Sequence, residues 1–157
     1  MKPLIKILSI KSKTQYEFEK LFDLYESKIS KFCNIELIDI KSFEVERNQS
    51  QIKIDKESNS ILEKIDSSSF IILCDETGKN MNSLGFSEEI SEALDIRKKV
   101  TFIIGGAFGV SEELKQKADL KICLSPFVLN HLMAKAVLLE QVFRTFTIIN
   151  KIPYHNE

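Results

Sequence analysis

The stretch Val100 to Gly109, Val-Thr-Phe-Ile-Ile-Gly-Gly-Ala-Phe-Gly, constrains this chain most. A continuous apolar, β-branched run reads as a strand buried on both faces, and such strands belong to parallel sheets covered by helices. Two glycines stop the run, and a third follows at Gly109. Glycines at the carboxyl end of a strand let the backbone turn sharply and come close to a ligand. The expectation is a small-molecule site above this turn.

The rest of the chain agrees with such a sheet. Leu4–Ile10, Ile35–Ile40, Phe70–Cys74 and Leu120–Leu124 read as four further strands. Helical spacing separates them. Phe18, Leu21, Phe22, Tyr25, Ile29 and Phe32 form one stripe behind a possible cap at Thr14. A weaker helix spans 52–65, another begins at Ser83 or Ser87 and runs through Ile96, and a short one follows Ser111. His131–Ile149 is the longest helical stretch, and its apolar surface is broad enough to suggest packing against a second subunit. The polar segment Lys41–Gln51 reads as a mobile loop. Alternating strand and helix define an α/β class with a parallel sheet. With 157 residues, no repeat and no linker, residues 1–157 form a single domain.

Several function classes drop out. No Gly-x-Gly-x-x-Gly follows the first strand, and Gly78-Lys79 is followed by Asn80, which excludes the dinucleotide fingerprint and the P-loop. Two histidines and three scattered cysteines make no zinc site, so no metal is expected. No apolar run reaches the length of a membrane span, and the amino-terminal residues carry no small-residue cleavage site. Three widely spaced cysteines suit reduced thiols and a cytoplasmic location. The net charge of −1 excludes electrostatic nucleic-acid binding by the whole surface. Between Ser125 and Ile152, however, Lys135, Arg144 and Lys151 face only Glu140, so this segment is the candidate for an anionic partner. By itself, Glu140 with Arg144 reads as an exposed i, i+4 pair worth a few tenths of a kcal/mol.

Three strand ends would share one rim: Cys74-Asp75, Gly105-Gly106 and Leu124-Ser125-Pro126. Their residues, with the tail, resemble a known family. The matching segments are Asp75-Glu76-Thr77-Gly78-Lys79, Gly105-Gly106-Ala107-Phe108-Gly109, Leu124-Ser125, His131, Glu140-Gln141-Val142-Phe143-Arg144 and Pro153-Tyr154-His155. Together they resemble the ribosomal RNA large subunit methyltransferase H family, small SPOUT-class enzymes that methylate a pseudouridine of 23S ribosomal RNA. The resemblance implies a homodimer, a deep trefoil knot in the carboxyl-terminal part, and S-adenosylmethionine held in that knot. The implied cofactor-binding residues are Cys74, Gly105, Leu124, Ser125, Pro126, Phe127, Val128 and Leu129. His131, Tyr154 and His155 would border the target base, the tail coming from the same or the partner subunit, with no general base assigned. Lys135 and Arg144 would hold RNA phosphate or orient the tail.

Departures from the family pattern are Cys74 for the usual Leu, Val128-Leu129-Asn130 for a Thr-Phe/Leu-Pro run, Lys135 for an Arg and Phe143 for a Tyr. The alternatives are a non-catalytic dimeric RNA- or nucleotide-binding protein that kept the fold, and a nucleotide-binding regulator with an unknotted sheet.

Overall fold

Five apolar runs become five parallel strands. The computed structural model describes residues 2–11, 13 and 15–156. The elements are β1 (Leu4–Ile10), α1 (Tyr16–Ile29), β2 (Asn34–Ile40), α2 (Ser50–Lys64), β3 (Phe70–Asn80), α3 (Ser83–Arg97), β4 (Lys99–Ile104), α4 (Glu112–Lys117), β5 (Leu120–Cys123) and α5 (His131–Ile149). The sheet order is β2-β1-β4-β3-β5, every neighbour parallel. All carboxyl ends of the strands therefore meet on one rim.

Period-two alternation sorts the strand residues between two cores. Ile5, Ile7, Ile72, Val100, Phe102 and Ile104 pack with α1, α3 and α5 on one face, against Phe22, Ile90 and Leu138. Leu8, Ile10, Ile71, Leu73 and Ile103 pack on the other face with Ile61 of α2 and Leu114 of α4. The helix α5 lies against both α1 and α3. Leu138, Leu139, Val142 and Phe146 are buried inside the one chain, whereas Ile149 of the same helix is exposed.

Of three local expectations, one lies outside the described residues, one holds and one changes. The cap proposed at Thr14 lies outside the described residues, and α1 starts behind Gln15, which makes no side-chain cap. The helix α3 does begin at Ser83, one of the two starts expected, and the side-chain carbonyl oxygen of Asn82 caps it by accepting from Gly85 N. The segment 41–51 is not a loop throughout, since a 3₁₀ turn spans Arg47–Gln49 and α2 begins at Ser50. Its first residues are tethered too, because the buried Glu57 carboxylate accepts from the Ser42 hydroxyl at 3.0 Å and Phe43 N at 3.1 Å.

The largest difference is β3. Its apolar part ends at Cys74, as expected, but pairing with β5 resumes at Lys79 and Asn80 after a shift of register. The four residues Asp75–Gly78 are thrown out of the ladder as a bulge, a device common beside functional sites. Gly78 lets the strand close again, since a Cβ there would lie 2.5 Å from the Ile122 carbonyl carbon.

Candidate functional site

A cavity of about 720 Å³ opens on the strand rim. Its walls come from the β3 bulge, the turn after β4, and the segment joining β5 to α5. The three strand ends expected to share a rim thus enclose one space. Cys74, Gly105, Leu124, Ser125, Phe127, Val128 and Leu129 line it, and so does His131 at the start of α5. Pro126 does not.

Each wall has a local cause. In the bulge, Asp75 Oδ1 accepts from both the Thr77 N–H and the Thr77 hydroxyl at 2.8 Å, which closes a tight side-chain turn. Partial burial pushes the Asp75 carboxyl up, but those two Thr77 hydrogen bonds, with Lys115 and Lys121 nearby, hold it below its usual range. The cavity therefore carries a carboxylate. Burial pushes the Cys74 thiol up to about 12, so it stays protonated. By area this residue is partly exposed, but it opens into the cavity rather than into bulk water.

The glycine turn is shaped from beneath. A Cβ on Gly105 would lie 2.6 Å from Val110 Cγ1, and a Cβ on Gly106 would overlap Glu57 Oε1. Gly109 has φ of +84°, in the left-handed region that favours glycine. The two α2 residues below the turn, Glu57 and Ser58, are both buried, and Ser58 Oγ accepts from Ser111 N at 2.8 Å. Neither was singled out from the sequence, where a Glu-Ser pair in a weakly apolar helix carries no distinguishing signal.

In the third wall, Phe127 N–H donates to Ser125 Oγ at 3.0 Å. Asn130, where the family pattern has proline, caps α5 by accepting from Met133 N at 2.9 Å. The departure thus exchanges a stiffening ring for a helix cap. Phe127 and Val128 are 80% and 91% exposed, which leaves an uncovered apolar edge at the cavity mouth.

The remaining candidate residues lie elsewhere. Arg144 is thirteen residues beyond His131 on α5, about 20 Å along the helix at 1.5 Å per residue. There the tail folds back. Glu140 Oε1 accepts from Arg144 Nη2 at 2.7 Å, Arg144 Nε at 3.1 Å and the Tyr154 hydroxyl at 3.1 Å. The Tyr154 ring meets Phe143 edge-on at 4.9 Å, and the Arg144 guanidinium lies 4.8 Å from the Tyr154 ring centre. Arg144 Nη1 is 3.0 Å from His155 Nδ1. A guanidinium only donates, so Nδ1 is the acceptor and the imidazole proton sits on Nε2.

The Glu140–Arg144 pair is therefore no ordinary exposed pair. Its side chains are 22% and 23% exposed, and it clamps the tail. Burial, then the Glu140 carboxylate, pushes the Tyr154 hydroxyl up to about 12. Lys135 is buried in a second cavity, where its ammonium lies 3.5 Å from Asp39 Oδ1.

Among the described residues, no group of three His, Cys, Asp or Glu side chains is placed to hold a metal. Among them, too, no helix is long and apolar enough to cross a membrane.

Comparison with known proteins gives this geometry a context. Residues 3–155 match a family model described as predicted SPOUT methyltransferase. A ribosomal RNA large subunit methyltransferase H from Bdellovibrio bacteriovorus is 45% identical over 139 residues, covering 88% of this chain and 89% of the relative. One of the same description from Christiangramia forsetii is 35% identical over 155 residues, covering 97% and 98%. Among solved structures, a probable methylase family protein from Haemophilus influenzae superposes with a TM-score of 0.58 at 14% identity. That match covers 98% of this chain and 70% of the other, and likeness at that identity concerns the fold.

Proposed function

This chain belongs to the SPOUT methyltransferase family, and from that membership we propose that it methylates a ring nitrogen of a pseudouridine in 23S ribosomal RNA, with S-adenosylmethionine as methyl donor. The observation that carries the reading is the convergence of the β3 bulge, the glycine turn and the 124–130 segment on one cavity. Its volume falls in the range of small-molecule sites. When bound, S-adenosylmethionine supplies a methyl group already activated as an electrophile, so the protein's work is positioning and exclusion of water.

The residues present fit that donor. Cys74, Gly105, Leu124, Ser125, Phe127, Val128 and Leu129 line the space, and in this reading their backbone groups meet an adenine edge and a ribose. Contact through backbone explains why Cys74 can stand where relatives in the family pattern carry Leu. The Asp75 carboxylate gives the cavity a negative charge to complement a sulfonium. Phe127 and Val128 offer an apolar edge that a bound ring would cover. His131 is the one histidine lining the cavity, which supports its bordering the target base in this reading.

The active form in this reading is a homodimer working in the cytoplasm on the large ribosomal subunit. The carboxyl-terminal part forms a deep trefoil knot around the donor. Tyr154 and His155 act in the partner's site, since within their own chain they dock near Arg144, far along α5 from the cavity. The Arg144 clamp then fixes the direction in which the tail leaves.

Isothermal titration of the purified chain with S-adenosylmethionine tests the cofactor. Mass spectrometry of 23S ribosomal RNA from a deletion strain tests the reaction, with loss of one methylated pseudouridine expected. No heat of binding at millimolar ligand, or an unchanged methylation pattern, overturns the proposal.

A further inference from the structure

A second cavity opens beside the first, and His131 lines both. It encloses about 290 Å³ between α1, the ends of β1 and β2, and the first turns of α5. We propose that this cavity receives the base to be methylated, a uracil-type ring with two carbonyls and ring N–H groups, and that Lys135 and Asp39 read its edge. The site presupposes the methyl-transfer reading of the first cavity.

Lys135 carries the assignment. Its side chain is 10% exposed, and its ammonium has three N–H donors. Among the described residues, its partners are Asp39 Oδ1 at 3.5 Å, the outer limit of a hydrogen bond, and the Phe22 ring with its centre 4.7 Å away. A buried ammonium is costly unless its donors are used. Here donors remain for a group that fills the cavity.

Charge selects which acceptor that is. Glu19, Asp23, Glu26 and Asp39 line the space against only Lys11 and Lys135. Four carboxylates around two ammoniums repel a phosphate. A neutral carbonyl accepts from Lys135 without adding negative charge, while the Asp39 carboxylate, 52% exposed, can accept from a ring N–H. Neighbouring donor and acceptor are what a carbonyl beside an N–H requires. The volume is near the lower end of ligand sites and suits a single ring. Placement completes the case, because two cavities that share His131 as a lining residue can hold two reactants near each other.

The test uses the full chain and large ribosomal subunits from a strain lacking the methylation. Asp39→Ala and Lys135→Met are expected to lower kcat/KM for the subunits by roughly 10- to 100-fold, the range for a lost hydrogen bond to a charged group. Affinity for S-adenosylmethionine, by titration calorimetry, should stay within about twofold, since neither residue lines the first cavity. Lys11→Met, at an exposed position, is a further variant that need not disturb folding and should weaken transfer in the same direction. In amide NMR spectra, the nucleoside pseudouridine should shift Asp39, Leu132 and Lys135, and inorganic phosphate should not. Unchanged kcat/KM in the folded variants overturns the proposal. Shifts with phosphate and none with the nucleoside also overturn it and make the cavity a phosphate site. A parental chain that neither binds the donor nor transfers methyl overturns the methyl-transfer reading first, and the base site with it.

Discussion

The Glu57 carboxylate lies directly beneath Gly106, so close that the glycine could not carry a side chain. The same carboxylate accepts from Lys53 at 2.9 Å and holds Ser42 and Phe43. One buried residue of α2 thereby ties the segment after β2 to the turn that floors the large cavity. Glu57→Ala removes the charged partner of a Lys53 side chain that is only 15% exposed and otherwise donates to the neutral Ser42 Oγ and Phe43 carbonyl oxygen. Breaking a buried pair from one side costs about 3–5 kcal/mol. Urea denaturation should show a loss of that size, and a loss below about 1 kcal/mol would show that the latch contributes nothing.

Gly78 permits β3 to rejoin β5 after the bulge. In Gly78→Ala, the new Cβ meets Ile122 backbone atoms at 2.5–2.8 Å, and backbone cannot swing aside. Overpacking of this kind costs about 1–3 kcal/mol. Thermal unfolding should report that loss together with weaker S-adenosylmethionine binding, because the Asp75–Thr77 turn moves with the strand. A variant with parental stability would mean that the two strands separate at no cost.

Gly105→Val acts from within the turn. Its Cβ would stand 2.6 Å from Val110 Cγ1, so the turn must lift toward the cavity it floors. Affinity for S-adenosylmethionine should fall by at least about tenfold, the equivalent of 1.4 kcal/mol, in calorimetric titration. Undiminished affinity would remove the turn from the site.

The tail offers a cut and a titration. Deleting residues 154–157 removes the Tyr154 contacts to Phe143 and Glu140 but no residue of either core. The shortened chain should stay folded by circular dichroism and lose methyl transfer; persistent turnover would deny the tail a catalytic part.

The docked tail should also respond to alkali. Free tyrosine ionises near 10, whereas burial and the Glu140 carboxylate push Tyr154 up to about 12. The neutral phenol is the form that docks. Its contribution is complete below about pH 10 and fades as pH rises toward about 12. Ultraviolet difference titration against Tyr154→Phe should reveal one tyrosine ionising late. A normal midpoint would mean that the tail is not held against α5.

Much of the fold is legible in local pattern. Val100–Ile104 and Phe70–Cys74 are buried strands because continuous apolar runs of that length fit nothing else in a parallel sheet. Ser111 with Glu112 and Glu113 marks a helix start that the structure reproduces. The bulge was hidden because Asp75–Gly78 is polar and reads as the end of a strand, although pairing resumes beyond it. Lys135 lies amid an apolar helix, and only the meeting of that helix with α1 and β2 brings Asp39 and Phe22 around it.

By itself, the sequence determined the alternation of strands and helices, the three loops that would share a rim, and the family. Those properties follow from residues close together in the chain, or from motifs carried whole. Tertiary structure alone decided that Glu57 would lie under Gly106, that Tyr154 would dock on Glu140, and that His131 would line two cavities. Each joins residues on different elements, and no periodicity within one element encodes the angle at which it packs against the next.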